Sequence, residues 1–191
     1  MSKLGLVIYS ERARTALRFA ERAHRGQQRK GGDEPYILHP VTVATLLAAS
    51  GAHEDLICAA YLHDVVEDAG VELDEIAAMF GDEVAEMVAA VTEDKLRSWQ
   101  DRKAHTITHL GSASQQVLAL KGADCCTNIT DVVLDHRLIG DDVWLRFRRG
   151  AEQQVWYYAT VAETVLERLD GYDQLRTELA GRLDELRSIS P

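Results

Sequence analysis

The chain has 191 residues, 46% hydrophobic and 27% charged, which suits one soluble domain with a full hydrophobic core and gives no sign of a second. A formal net charge of -10 disfavours unspecific attraction to nucleic acid or to an anionic membrane surface. An anionic substrate would therefore need local basic groups to capture it.

No apolar run approaches the roughly 18 residues that span a bilayer, and Leu4 to Ile8 is too short for a signal-peptide core, so a cytoplasmic protein is expected. Ser10 is placed to cap a first helix in which Ala13, Ala16, Leu17, Ala20 and Ala23 recur at three-four spacing, ending near Gly26. Residues 25 to 38 read as a polar loop. Pro40 suits the first turn of a second helix through Val41, Ala44, Leu47 and Ala48, stopped by Gly51. Leu56 to Asp68 forms a third, broken by Gly70. A fourth runs through Leu73, Ile76, Ala77 and Phe80 to Gly81, and a fifth from Asp82 to about Thr92. Helices from about Ser98 to Leu110 and from Ser114 to about Leu134 follow. After the Gly140-Asp141-Asp142 break a long helix carries Trp144, Phe147, Val155, Tyr158, Val161, Ala162 and Val165. Gly171 separates it from a terminal helix, Asp173 to Arg187, whose Leu175, Leu179, Leu183 and Leu186 serve packing or the pairing of copies into a homo-oligomer. Strand-like alternation is scarce, so the expected architecture is an all-α bundle of about eight to ten helices in a single domain, 1 to 191.

The third helix ends in four titratable residues, His63, Asp64, Glu67 and Asp68, on a segment otherwise fit for a core. Burying a lone charge costs several kcal/mol, so these groups are expected to be paired, protonated or bound to metal. With His63 at zero on a helical wheel, Glu67 falls near roughly 40°, Asp64 near 100° and Asp68 near 140°, all on one side. His39, held by Pro40, is a third candidate metal ligand and Asp124 a fourth. Lys121, Asp124 and Asn128 share a face of the seventh helix. Arg25-Gly26-Gln27-Gln28-Arg29-Lys30 is a cationic loop without an acid. Cys58, Cys125 and Cys126 are odd in number and lack CxxC spacing, so they read as reduced core thiols.

These pieces together resemble the HD-domain phosphohydrolases, and more narrowly the hydrolase domain of the RelA/SpoT family and its stand-alone Mesh1-like relatives. The matching stretches are Gln28-Arg29-Lys30, Pro35-Tyr36, His39-Pro40, Leu62-His63-Asp64-Val65-Val66-Glu67-Asp68, Phe80-Gly81, Val91-Thr92 and Lys121-Gly122-Ala123-Asp124 with Asn128. They run from about Phe19 to Leu169. The resemblance implies that His39, His63, Asp64 and Asp124 hold one divalent metal, usually Mn2+. It implies that Glu67 and Asp68 orient and activate the attacking water, that Asn128 helps hold the substrate, and that Arg29 and Lys30 face the nucleotide. Lys95 stands where the stand-alone relatives carry a lysine. The implied reaction releases the 3′-pyrophosphate of guanosine tetra- or pentaphosphate (ppGpp, pppGpp). Since the chain ends where longer enzymes begin a synthetase domain, synthesis is not expected. Two departures bear on substrate choice: Cys125 replaces a usual arginine or lysine, and Gln154 replaces a threonine.

Alternative readings keep the metal chemistry and change the substrate, to an adenosine-based alarmone (ppApp) or the 2′-phosphate of NADPH, or else drop catalysis for a metal-braced regulatory module. His105 and His109 have metal-pair spacing, but no glutamate intervenes and a solvated face is expected. His24, His53 and His136 read as surface or cap residues. Trp99, Trp144, Trp156, Tyr157 and Tyr158 read as core or interface aromatics rather than a platform for a base.

Overall fold

The computed structural model describes Ile8 and residues 10–191; most of the short apolar stretch that begins at Leu4 lies outside the described residues. Ser10 accepts the Ala13 N–H at 3.0 Å and opens α1, Glu11–Ala23. Next come α2 (Leu38–Ala49), α3 (Glu54–Leu62), α4 (Val65–Ala69), α5 (Leu73–Phe80), α6 (Asp82–Val91), α7 (Trp99–Leu110) and α8 (Gln115–Ile139). A 3-10 segment, Gly140–Arg146, leads into α9 (Gly150–Arg168) and α10 (Asp173–Ser188). The fold is all-α, and among the described residues strand pairing is limited to one bridge, Gln28 to Pro35, which pinches the loop between α1 and α2.

Every residue of α3 from Leu56 to Leu62 is buried, because the helix is enclosed by α1, α2 and α6. The 25-residue α8 lies against α2, α6, α9 and α10 and supplies Leu118, Leu120, Ala123 and Ile129 to the same core. Leu175, Leu179, Leu183 and Leu186 of α10 are all buried within the fold, where α10 packs on α8 and α9. Burial of a leucine is worth about 1.5–3 kcal/mol, so these side chains fasten the terminal helix down and are spent on packing rather than left for a second copy.

Three expectations need correcting. The third helix is not continuous to Asp68: it stops at Leu62, and Asp64 (φ -104, ψ -5) begins a separate short turn. The Ala60 carbonyl, which a continuous helix would offer to the backbone four residues on, instead accepts His63 Nδ1–H at 2.8 Å. Trp144 and Phe147 are not on the long helix; their spacing of three also fits a 3-10 turn, and Gly140 (φ 62, ψ -148) stops α8 in a backbone conformation that favours glycine. His24 caps α1 as expected of a cap, yet it is buried, with Nδ1 2.8 Å from Gln27 Oε1 and its ring against Tyr36. By contrast His105 lies exposed and stacked on the half-buried His109, as a solvated face requires. The cysteines are free and buried.

Candidate metal centre and its cleft

Three helix ends and one helix middle converge on a single point. His39 stands in the first turn of α2 rather than before it, His63 closes α3, Asp64 precedes α4, and Asp124 comes from the buried centre of α8. His39 Nε2 lies 3.2 Å from Asp124 Oδ1 and 3.7 Å from Asp64 Oδ2. His63 Nε2 lies 3.2 Å from Asp64 Oδ2 and 3.9 Å from Asp124 Oδ1. Donor atoms of His39, His63 and Asp124 all fall within 4.8 Å of one another and form a buried triad suited to a divalent metal. Asp64 adjoins this triad without belonging to it by that measure.

The donor set fits a metal on a further ground. Because His63 Nδ1–H is committed to the Ala60 carbonyl, the neutral ring must carry its lone pair on Nε2. That atom is fully buried and makes no aligned hydrogen bond among the described residues. Two imidazoles with two carboxylates form a hard-to-borderline set, compatible with Mn, Fe or Zn. A proton is the competing occupant. Burial alone would depress the His63 imidazole, but the Asp64 and Asp124 carboxylates outweigh it and raise the group to about 9. Burial likewise works against the charge of Asp64 and Asp124, while the imidazoles, and Lys121 at Asp124, hold both carboxyls below the ordinary range.

Each carboxylate is aimed by a neighbour. Lys121 Nζ donates to Asp124 Oδ2 at 2.8 Å, and Asn128 Nδ2 donates to Asp124 Oδ1 at 2.5 Å. The i, i+3 and i+4 spacing that places these three on one face thus also joins them, and Asn128 positions the Asp124 carboxylate besides lining the cleft. Tyr36 Oη–H donates to Asp64 Oδ2 at 2.6 Å and approaches Asp68 Oδ2 at 3.1 Å. Gln27 Nε2 holds the Asp68 carbonyl at 2.8 Å, tying the cationic loop to α4.

Glu67 and Asp68 stand beside the triad in a cleft of about 1170 Å3. Glu67 Oε2 accepts the Glu93 N–H at 3.1 Å. Burial lifts its carboxyl above the usual range, with the neighbouring acids Glu93, Asp64 and Asp68 pushing the same way. Asp68 is ion-paired with Lys95, whose Nζ also lies 4.0 Å from Glu67 Oε1. Arg29 and Lys30 both line the cleft, but they differ. Arg29 donates to Asn128 Oδ1 at 3.1 Å and is ion-paired with Asp131, whereas Lys30 is exposed and has no ion pair among the described residues. Gly31 (φ +88) lets the loop lie directly on Arg146, where a Cβ would collide with the guanidinium. Cys125 and Gln154 are buried in the same cleft wall, and Trp99, Tyr157 and Tyr158 also line it.

Sequence reasoning missed several members of this site. Tyr36 was visible only as part of a matching stretch, and nothing in its spacing tells that its hydroxyl reaches Asp64. Glu93 is held by Lys103 Nζ at 2.7 Å and Arg102 Nη1 at 3.0 Å, with the Tyr157 hydroxyl at 3.4 Å. A signal existed for Asp131 and Asp135: with Lys121, Asp124 and Asn128 they form a polar stripe on one face of an otherwise apolar helix.

Comparison with known proteins agrees with this geometry. A family model described as an HD domain matches residues 16–124. The guanosine-3′,5′-bis(diphosphate) 3′-pyrophosphohydrolase MESH1 of Xenopus tropicalis is 33% identical over 174 residues, covering 90% of both chains. A guanosine-3′,5′-bis(diphosphate) 3′-pyrophosphohydrolase of Vibrio cholerae is 36% identical over 167 residues, 84% of this chain but 22% of that longer protein. A solved structure of a metazoan ortholog of SpoT that hydrolyzes ppGpp superposes with a TM-score of 0.77 at 28% identity, covering 92% of this chain and 96% of that one.

Proposed function

Since the chain belongs to the HD-domain hydrolases of the RelA/SpoT and Mesh1 type, we propose that it removes the 3′-pyrophosphate of guanosine tetra- and pentaphosphate. The observation that carries this reading is the buried, uncommitted Nε2 of His63 facing His39 and Asp124, in the same cleft as the carboxylates of Glu67 and Asp68. In this reading His39, His63, Asp64 and Asp124 hold one divalent cation, Mn2+ first among the candidates. Such an ion neutralises phosphate charge and acidifies water.

The remaining chemistry falls to side chains. Glu67 Oε1 is free of the backbone bond that fixes Oε2, and a carboxyl held above its usual range is the better proton acceptor. It takes a proton from the attacking water while the water oxygen bonds to the phosphorus next to the 3′-oxygen. The P–O3′ bond breaks, the 3′-oxygen takes up the proton that Glu67 collected, which regenerates the base, and the products are the nucleoside 5′-di- or triphosphate and pyrophosphate. Asp68 orients the water, held in place by Lys95 and by Tyr36. Lys30 and Arg29 face the nucleoside, and Asn128 contributes from the floor of the cleft. A single domain working in the cytoplasm on a free nucleotide completes the proposal; among the described residues no helix is long and apolar enough to cross a membrane.

The test is a panel of nucleotides given to metal-loaded protein, with pyrophosphate and orthophosphate measured separately. Pyrophosphate release from ppGpp is expected. Orthophosphate from NADPH, with no turnover of guanosine 3′-pyrophosphates, would replace this reading with the phosphatase alternative.

A further inference from the structure

The one-turn helix α4 carries both Glu67 and Asp68 and has little backbone support of its own. Asp68 N–H donates to the Asp64 carbonyl at 2.8 Å, and the N–H groups of Gly70 and Val71 both turn to the Val65 carbonyl. The carbonyls of the last turn have no partner within so short a helix. That of Asp68 is held from outside: Gln27 Nε2 donates to it at 2.8 Å, and among the described residues no other side chain bonds to the backbone of α4.

Asp68 is therefore gripped at two ends, its carbonyl by Gln27 and its carboxylate by the Tyr36 hydroxyl at 3.1 Å. The two gripping residues are themselves joined, since the Gln27 carbonyl accepts the Tyr36 N–H at 2.9 Å, beside the bridge of Gln28 to Pro35. His24 supports both. Its ring lies against that of Tyr36, centroids 4.7 Å apart, and its Nδ1 is 2.8 Å from Gln27 Oε1.

The far end of this chain fixes every proton in it. A carbonyl oxygen only accepts, so Gln27 turns Nε2 to Asp68 and Oε1 to His24; Oε1 only accepts as well, so His24 carries a proton on Nδ1. His24 is 3% exposed, and its Nε2 is left without a hydrogen-bond partner among the described residues. For stability alone an apolar ring would serve at least as well there, because it leaves no buried polar atom unpaired. What the imidazole adds is the Nδ1–H. Without that donor the Gln27 amide loses one of the two bonds that set its orientation, and a turned amide puts oxygen against the Asp68 carbonyl.

We infer that His24 is a positioning residue: through the Gln27 amide and the Tyr36 ring it fixes Asp68, and with it the short helix that carries Glu67. This rests on the function proposed above and adds to it a residue outside the lining of the cleft, which acts only through its neighbours.

His24→Phe keeps a ring against Tyr36 and deletes the donor. On metal-loaded protein, kcat for pyrophosphate release from ppGpp is expected to fall about 10-fold, the worth of one hydrogen bond, with KM and metal affinity within about twofold of wild type and Tm no lower. His24→Asn, whose amide nitrogen stands near the place of Nδ1, should recover most of the rate although the smaller side chain lowers Tm. A merely structural His24 would order the two variants the other way. Hydrogen exchange reads the same support without turnover: amides of α4 should exchange about 10-fold faster in His24→Phe, with those of α2 unchanged. Unchanged exchange in α4, or a rate that follows Tm rather than the donor, overturns this role of His24. Wild-type protein that releases no pyrophosphate from ppGpp refutes the proposed function instead, and the exchange measurement then decides whether His24 holds α4.

Discussion

Replacing Tyr36 by Phe removes one oxygen and leaves the ring in place between His24 and the Arg29 guanidinium. The lost donor serves Asp64 at 2.6 Å and Asp68 at 3.1 Å. A hydrogen bond to a buried charge is worth about 1.5–3 kcal/mol, and the longer one to the better-solvated Asp68 adds about 0.5–1. Against this, a phenyl ring avoids the desolvation of a buried hydroxyl, about 1 kcal/mol. The balance is a loss of about 2 kcal/mol, or about 4–8 °C in Tm for a protein of this size. Thermal unfolding in the presence of a chelator measures it. With saturating divalent metal the deficit should shrink, because a cation then satisfies the Asp64 oxygen that Tyr36 abandoned. A change below about 0.5 kcal/mol, typical of a neutral surface substitution, would refute the claim that this hydroxyl holds the Asp64 carboxylate, as would an identical deficit with and without metal.

Glu67→Gln should keep the fold and the bound metal while kcat falls about 10²- to 10⁴-fold, the usual worth of a general base; unchanged turnover would remove Glu67 from that role and favour the regulatory-module alternative. His63 ties metal affinity to pH. Its folded value near 9 lies above the unfolded 6.5, so in metal-free protein its stabilisation, about 3 kcal/mol at most, is complete below about pH 6.5 and lost as pH rises through about 9. Metal needs the deprotonated ring, so the Tm gain on adding metal should grow across the same window, and a flat gain would count against His63 as ligand. Gly122→Ala would place a Cβ 2.8 Å from Val165 Cγ1, so the seam between α8 and α9 should lose about 1–3 kcal/mol by chemical denaturation.

What was legible in the sequence is what depends on near neighbours. Ser10, Pro40, Gly81 and Gly140 mark helix ends because caps and breaks are local chemistry, and His63-Asp64 stood out because charge is out of place after an apolar run. Asp124 was found as a member of a three-four stripe. The rest is tertiary. Tyr36 meets Asp64 across 28 positions, Arg29 meets Asp131 across 102, and Tyr157 meets Glu93 across 64; no periodicity encodes such pairs. The break after Leu62 was hidden for a related reason. Nothing in an apolar run announces that a side chain three residues on will take the carbonyl that continues the helix.

The stripe on α8 separates the residue that belongs to the buried triad from its neighbours in the cleft wall. Asp124 belongs to the buried triad and is held by Lys121 and Asn128, so a change at either position would loosen its carboxylate. Cys125, one residue on, looks at the cleft from another angle and makes one weak contact, Sγ to the Tyr158 carbonyl at 3.6 Å. Burial pushes its thiol well above the ordinary range, so the position is neutral. Gln154, on α9, is neutral as well and faces the same space. Neither position brings a charge to the cleft, so in the proposed reaction the cations that meet substrate phosphate come from the rest of its lining, Arg29, Lys30, Lys95, Arg102, Lys103 and Lys121 among them.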